Sequence, residues 1–363
     1  MSEEQVTGEQ VAGRKGKGTR RSKRPGRGLL FGIAALWLAL TAFGCTGKLF
    51  KEQRADQAAL KETDQEEELI VVGVSQVGSE SVWRTANTAS IQKVFTKENG
   101  YFLIFKNARQ KQENQIKALR SFISQRVDYI VFSPIMEMGW ETVLQEAKEA
   151  GIPVIMIDRK AKVWDDSLYV AWIGPDFVRE GRLAGEALEG CLKKQGRQDE
   201  ELDILILRGT EGATATIGRT RGFMGLAEEH DNWNILEQVD GEFTTAKGQE
   251  VMERMLRRYD SIDVLISQND DMTFGALEAI RKAGKTTGED GDILVISFDA
   301  VDSALKLVEE GQITADVECR SDLGGYIEEV IQKLEKGEKV PRLNFVEEGV
   351  FTKENVAEKL DGE

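Results

Sequence analysis

The chain has 363 residues, with 48 Lys and Arg against 63 Asp and Glu, one His and three Cys. A net charge of −15 argues against a general nucleic-acid or polyanion binder, and one His without a Cys/His grouping leaves zinc no ligand set. The length exceeds what one hydrophobic core usually serves, so two lobes are expected.

Eight Lys and Arg fall between Arg14 and Arg27. Residues 29–43 are apolar or small apart from Thr41, and Gly44-Cys45 follows. A basic segment, an apolar segment and a small residue before the cut describe a secretory signal. The cysteine in that place looks like that of a lipoprotein signal, which implies a signal over 1–45 and lipidation of Cys45. Ala42 and the bulky Phe43 depart from the usual pattern. The alternative is an uncleaved anchor, because residues 29–45 reach the lower limit for a bilayer span. Either reading puts the remainder on the extracytoplasmic face of the cell membrane. Residues 46–68, rich in Gln, Asp, Glu and Lys, then read as a polar tether. Removing residues 1–44 takes away 8 basic and 3 acidic residues and leaves 40 Lys and Arg against 60 Asp and Glu, a net of −20.

Beyond the tether, apolar runs alternate with helical patterns. Strands are expected at 69–77, 101–107, 129–133, 154–158, 169–173, 203–207, 235–239, 264–267, 293–299 and 313–319. Between them, Ile116, Leu119, Phe122 and Ile123 form one helical stripe over 113–125. A second helix over 273–283 runs into Gly284 as its C-terminal stop, and residues 87–95 continue a helix that follows the first strand. Repeated βα units predict an α/β fold with parallel sheets flanked by helices. A seam at Gly174-Pro175-Asp176 divides the series into two similar doubly wound lobes, with a cleft between their strand ends. Cys191 and Cys319 could form one disulfide, but their spacing suggests no framework, and two buried thiols are expected. His230, in Glu-Glu-His-Asp-Asn, reads as a solvated helix end.

Polar strand ends carry the chemistry. The strand 154–157 ends in Asp158-Arg159, where a carboxylate accepts from hydroxyls and a guanidinium donates in a planar fork. The ordinary alternative is a structural ion pair. Trp83 follows the first strand and either offers its ring face to an apolar sugar face or packs between helix and sheet. The Gly/Thr-rich stretch 209–223 lacks the Walker spacing and its Lys, which removes a nucleotide-hydrolysing reading; Arg219 lies one turn into its helix. In Gln268-Asn-Asp-Asp271, Asp270 or Asp271 reads as an N-cap and Asn269 as a ligand candidate. Ser297-Phe298-Asp299 ends the next strand in the same way.

Taken together, Ser75-Gln-Val-Gly-Ser-Glu-Ser with Trp83-Arg84, Lys111-Gln-Glu-Asn-Gln-Ile-Lys, Asp158-Arg159, Lys247-Gly-Gln-Glu-Val-Met, Asn269-Asp-Asp-Met and Ser297-Phe-Asp resemble the type I periplasmic binding proteins, sugar-binding components of ABC importers, and most of all their galactofuranose-binding group. The resemblance implies an N-terminal lobe of 69–173 plus 320–342 and a C-terminal lobe of 174–319 plus 343–363. It implies sugar contacts from Asp158 and Arg159 in the first lobe and from Arg219, Asn269 and Asp299 in the second. Trp83 and Phe243 match the aromatic walls, Arg84 the neighbour of the first wall, and Glu80 the acid before it. Cys319 stands where ribose binders carry Gln, which argues against ribose. Ala300 replaces a usual Gly after Asp299. The implied mechanism is hinge closure around a monosaccharide, read by a membrane permease, in a monomer that needs no cofactor, no metal and no covalent chemistry. The same fold also serves sugar sensors that signal through a membrane kinase or chemoreceptor. It serves transcription regulators too, which the secretory signal and acidic surface oppose, and a sugar-cleaving enzyme using Asp158 and Asp299 is not excluded by fold alone.

Overall fold

The computed structural model describes residues 69–362; the expected signal with Cys45 and the expected tether lie outside the described residues. The first series is β1 (Ile70–Gln76), α1 (Val82–Val94), β2 (Tyr101–Asn107), α2 (Gln112–Gln125), β3 (Tyr129–Phe132), α3 (Glu141–Glu149), β4 (Val154–Ile157) and β5 (Ala171–Gly174). The chain then crosses to α4 (Phe177–Gln195), β6 (Leu202–Arg208), α5 (Thr214–Ala227), β7 (Trp233–Asp240), α6 (Thr245–Arg258), β8 (Val264–Ser267), α7 (Asp270–Lys282), β9 (Leu294–Asp299), α8 (Asp302–Glu309) and β10 (Ala315–Glu318). It returns as α9 (Gly324–Glu335) and β11 (Leu343–Phe345), then crosses a third time to β12 (Val350–Thr352) and α10 (Val356–Asp361).

The first sheet runs β2-β1-β3-β4-β5-β11 and is parallel throughout. The second runs β7-β6-β8-β9-β10-β12 and is parallel apart from β12, which lies antiparallel to β10. Helices cover both faces of each sheet, so the inner strands β3, β4 and β8 are buried along their whole length. That is why they read as unbroken apolar runs. In each sheet the strand order reverses beside the first strand, between β1 and β3 and between β6 and β8. Crevices that bind ligands form outside the carboxyl ends of strands at such points.

Each expected strand run contains a strand; two local expectations are corrected and a third is made exact. First, β11 pairs with β5, so residues 343–345 belong to the first lobe rather than the second. Trp172 N donates to Arg342 O at 2.8 Å, and the Trp172 and Phe345 rings meet edge to face. The return crossing therefore falls between β11 and β12. Second, the helix expected to follow the first strand, α1, begins at Val82, where Ser81 Oγ caps it by accepting from Arg84 N at 3.0 Å. Trp83 and Arg84 thus stand in the first turn of a helix aimed at the cleft. Third, the N-cap of α7 is Asn269, whose Oδ1 accepts from Met272 N at 3.0 Å; Asp270 and Asp271 are its first helical residues. Cys191 and Cys319 are both buried and unpaired. His230 is not simply solvated: it meets Glu189 at 2.6 Å and stacks on Trp233.

Candidate functional site between the lobes

Asp158 leaves β4 at a φ of 56°, in the left-handed region. Its Oδ2 accepts from Arg84 Nη1 at 2.8 Å and from Ser133 Oγ at 2.9 Å, while its backbone oxygen accepts from Trp172 Nε1 at 3.1 Å. Arg84 also donates to Gln76 Oε1 at 3.3 Å and to Glu80 Oε1 at 3.4 Å. Arg159 donates Nη1 to Ile135 O at 3.2 Å, and its guanidinium lies 5.1 Å from the centre of the Phe243 ring. The first lobe thus presents three buried acids and bases fixed by strand ends β1, β3 and β4.

Arg219 anchors the opposite wall. It donates Nε to Glu180 Oε2 at 2.6 Å, Nη2 to Asp299 Oδ1 at 3.1 Å and Nη1 to Gln268 O. Phe298 and Phe177 lie 4.8 and 5.5 Å from its guanidinium carbon. Asp299 ends β9 at a φ of 107°, and the next residue, Ala300, has a φ of 55°. Two acids hold this bent loop: Asp316 Oδ1 accepts from Ala300 N at 3.2 Å and Asp270 Oδ2 from Val301 N at 2.9 Å. Phe243, also left-handed at 59°, lies against the backbone of Gly209, where a Cβ would fall 1.9 Å from the ring. Asn269 Nδ2 donates to Phe243 O at 3.5 Å.

All nine residues expected at the site line one small cavity of about 30 Å³: Glu80, Trp83, Arg84, Asp158 and Arg159 from the first lobe, Arg219, Phe243, Asn269 and Asp299 from the second. Ser81, Phe177, Ala215 and Cys319 complete the lining. Phe177 went unread because one aromatic at a helix start carries no sign of which wall it faces. Glu180, one layer behind, went unread because an acid within an amphipathic helix normally points to water.

Two buried polar atoms of the lining have no partner: Glu80 Oε2, an acceptor, and Arg159 Nε, a donor. Buried polar groups are nearly always paired, so two unpaired ones in one lining stand out. Burial, then repulsion from Arg84, pulls the Arg159 guanidinium down to about 10. Burial raises the Asp299 carboxyl well above the usual carboxylate range; Arg219 opposes this, while Asp270, Glu180 and Asp271 add to it. The arrangement offers hydrogen bonds and aromatic walls.

The lobes meet around this cavity. Trp83 Nε1 donates to Cys319 O at 2.6 Å, and its ring joins the apolar cluster of the second lobe with Phe177 and Phe243. Val82 N donates to Asp271 Oδ2 at 2.8 Å, Lys160 N to Thr214 Oγ1 at 3.1 Å and Glu137 N to Gly212 O at 2.9 Å. Trp83 is therefore neither an open platform nor a filler between its own helix and sheet; it bridges the cleft.

Two parallel sheets with three crossovers and a polar cleft between them define a type I periplasmic binding protein. The family described as "Periplasmic binding protein domain" matches residues 71–322, and the chain belongs to it, within the sugar-binding group that serves ABC transporters. The galactofuranose-binding protein YtfQ of Escherichia coli is 37% identical over 296 residues, 80% of this chain and 91% of that protein. The arabinose-transporter binding protein of Shewanella sp. ANA-3, solved with α- and β-L-arabinofuranose, is 43% identical, with a TM-score of 0.75 and coverage of 80% of this chain and 95% of that one. A Mycobacterium smegmatis protein in complex with β-D-fucofuranose is 39% identical, with a TM-score of 0.76 and coverage of 80% and 94%. Among the described residues no helix is long and apolar enough to cross a membrane.

Proposed function

We propose that this protein binds a furanose sugar, galactofuranose or a close relative such as arabinofuranose, in the cavity between its lobes. It delivers the sugar to an ABC importer from the outer face of the membrane, where a lipid on Cys45 holds it. The observation that carries this reading is the pair of unpartnered atoms, Glu80 Oε2 and Arg159 Nε, in a cavity walled by Trp83 and Phe243. A polyhydroxylated ring satisfies both atoms and packs its apolar face on an aromatic. That relatives of 37%, 43% and 39% identity are named for, or solved with, furanoses supports the ring form.

Sugar binding stabilises the closed arrangement because only that arrangement gives the ligand contacts from both lobes. Asp158, Arg159 and Arg84 hold it from one side, and Arg219, Asn269 and Asp299 from the other. The bonds from Val82 N to Asp271 and from Lys160 N to Thr214 need both lobes together, so they break on opening.

A thermal-shift screen of residues 69–363 against galactofuranose, arabinofuranose, galactose and ribose tests the ligand. A ligand that binds only the folded state raises the midpoint by mass action. A rise with a furanose and none with ribose is expected. Protein shown to be folded and ligand-free that responds to no sugar would overturn the reading.

A further inference from the structure

The three crossovers between the lobes bring three side chains together: Glu180 in the first turn of α4, Cys319 just after β10, and Glu348 between β11 and β12. Their ligating atoms all lie within 4.8 Å of one another. Glu180 uses Oε2 for Arg219, and its Oε1, fully buried, finds no donor among the ordinary groups of the protein. Glu348 uses Oε1 to accept from Arg320 N at 3.0 Å, and a carboxylate oxygen of Glu348 lies within 4.8 Å of one of Glu180. Two facing carboxylates repel, whereas one proton between them gives a hydrogen bond and removes a buried charge. A metal ion fits less well, because the Arg219 guanidinium already holds the far oxygen of Glu180.

We propose that Glu348 is a positioning residue: as a neutral acid on the third crossover it donates to Glu180, which holds Arg219 on the cavity wall, and so ties the hinge to the ligand contacts. Burial, and after it the Glu180 charge, pushes the Glu348 carboxyl up to about 10. The other groups facing the pair are Arg219, the buried Cys319 thiol, which burial also pushes up, Asp299 across Arg219, and Arg320. Glu318, at the end of β10, is occupied by Gly349 N at 3.1 Å and Lys359 at 3.5 Å. The pair is shut away from water with the lobes together, so water reaching it on opening would loosen the proton, which is held more tightly when the lobes are closed.

This rests on the sugar-binding reading, and the test separates the two. Calorimetry with the furanose that raises the thermal midpoint is run from about pH 6 to about pH 9 on wild type, Glu348→Gln and Glu348→Ala. Wild-type affinity is expected to fall about tenfold over that range, which requires the open form to release the proton about two units below the closed value of about 10. Gln keeps the donor without the titration, so its affinity near pH 6 stays within about threefold of wild type and does not change with pH. Ala binds about tenfold or more weakly at every pH. A Gln profile as steep as wild type, or an Ala variant that binds like wild type, would overturn the proposal. The second arm needs no ligand. Sugar-free wild type should lose thermal stability as pH rises from about 4.5 towards about 10, more steeply than Glu348→Gln. Parallel curves would overturn the proposal even if no sugar binds, and a difference would uphold the shared proton while the sugar reading failed.

Discussion

Asp158, Phe243 and Asp299 each occupy positive φ on the cavity wall, and Ala300 follows Asp299 there. An L-residue in the left-handed region costs about 1–2 kcal/mol, and such strain collects where a side chain must be aimed. Ala300 aims no polar group: its N–H is held by Asp316, and its methyl only edges the apolar cluster of the second lobe. Ala300→Gly is therefore expected to raise the unfolding free energy by about 0.5–1 kcal/mol, the strain relieved less the added freedom of the unfolded chain. A urea titration reads this, and an unchanged or lower midpoint would refute it. Asp158 differs, because its loss leaves Arg84 buried with only the longer contacts to Gln76 and Glu80. Asp158→Ala should weaken sugar binding by about 2–5 kcal/mol, since the remaining charge stays buried and under-paired; unchanged calorimetric affinity would misplace the site. Of the lining residues, Asp158, Arg159, Asn269 and Asp299 were legible because polar ends on apolar strands are conspicuous, whereas Glu80, Arg84 and Phe243 were expected only from the family resemblance. The pairings were not legible. Asp158-Arg159 reads as a neighbouring ion pair, yet Asp158 takes Arg84, 74 positions earlier, and Arg159 takes a carbonyl.

Between elements, the decisive contact is α4 against α5. A Cβ at Gly222 would lie 1.9 Å from Val178 O, and one at Gly181 would lie 2.1 Å from Arg219 O. Backbone thus rests on backbone, and this closeness lets Glu180 reach Arg219 at 2.6 Å. Gly222→Ala forces the helices apart and should cost about 1–3 kcal/mol of stability, with a loss of sugar affinity as Arg219 moves. Gly225, one turn further on the exposed face, meets nothing within 4 Å. Gly225→Ala should instead stabilise by up to about 1 kcal/mol through helix propensity. If denaturation midpoints move the same way in both variants, the packing account fails. Sequence periodicity reveals helices and inner strands because burial on both faces makes long apolar runs. It could not reveal β11 and β12, three residues each and only partly buried, whose pairing is decided by Trp172 and by β10. The misplaced third crossover follows from that blind spot.

Over the whole molecule, the surface acids and the buried acids respond to pH in opposite senses. At the surface, hydrogen bonds from Ser167 hold Asp165 down to about 2, and Arg120 lowers Glu146. Such depressed groups stabilise the fold above their unfolded values and lose that contribution as pH falls, but exposed pairs contribute little. Inside, burial first and then like charge raise Asp270, Asp299 and Glu348, and burial lifts Asp316 to about 7. A carboxyl raised on folding stabilises fully below its unfolded value near 4, and that contribution is lost as pH rises to the folded value. For Asp316 the window is about 4 to about 7, and for Glu348 it extends to about 10. The interior acids dominate, so the thermal midpoint should peak on the acid side of neutrality and fall towards pH 9. The fall should exceed about 5 °C, since one unit of displacement is about 1.4 kcal/mol and each kcal/mol moves a chain of this size by about 2–4 °C. Asp316→Asn can still accept from Ala300 N and donate to Asp270, but it cannot ionise. It should remove much of the loss between about pH 5 and pH 7 and leave the loss above pH 8, to which Glu348 contributes. Calorimetric scans at constant ionic strength separate the two segments. A wild-type midpoint that rises steadily from pH 5 to pH 9 would mean that water reaches these acids and that the closed, dry interior is not the resting state.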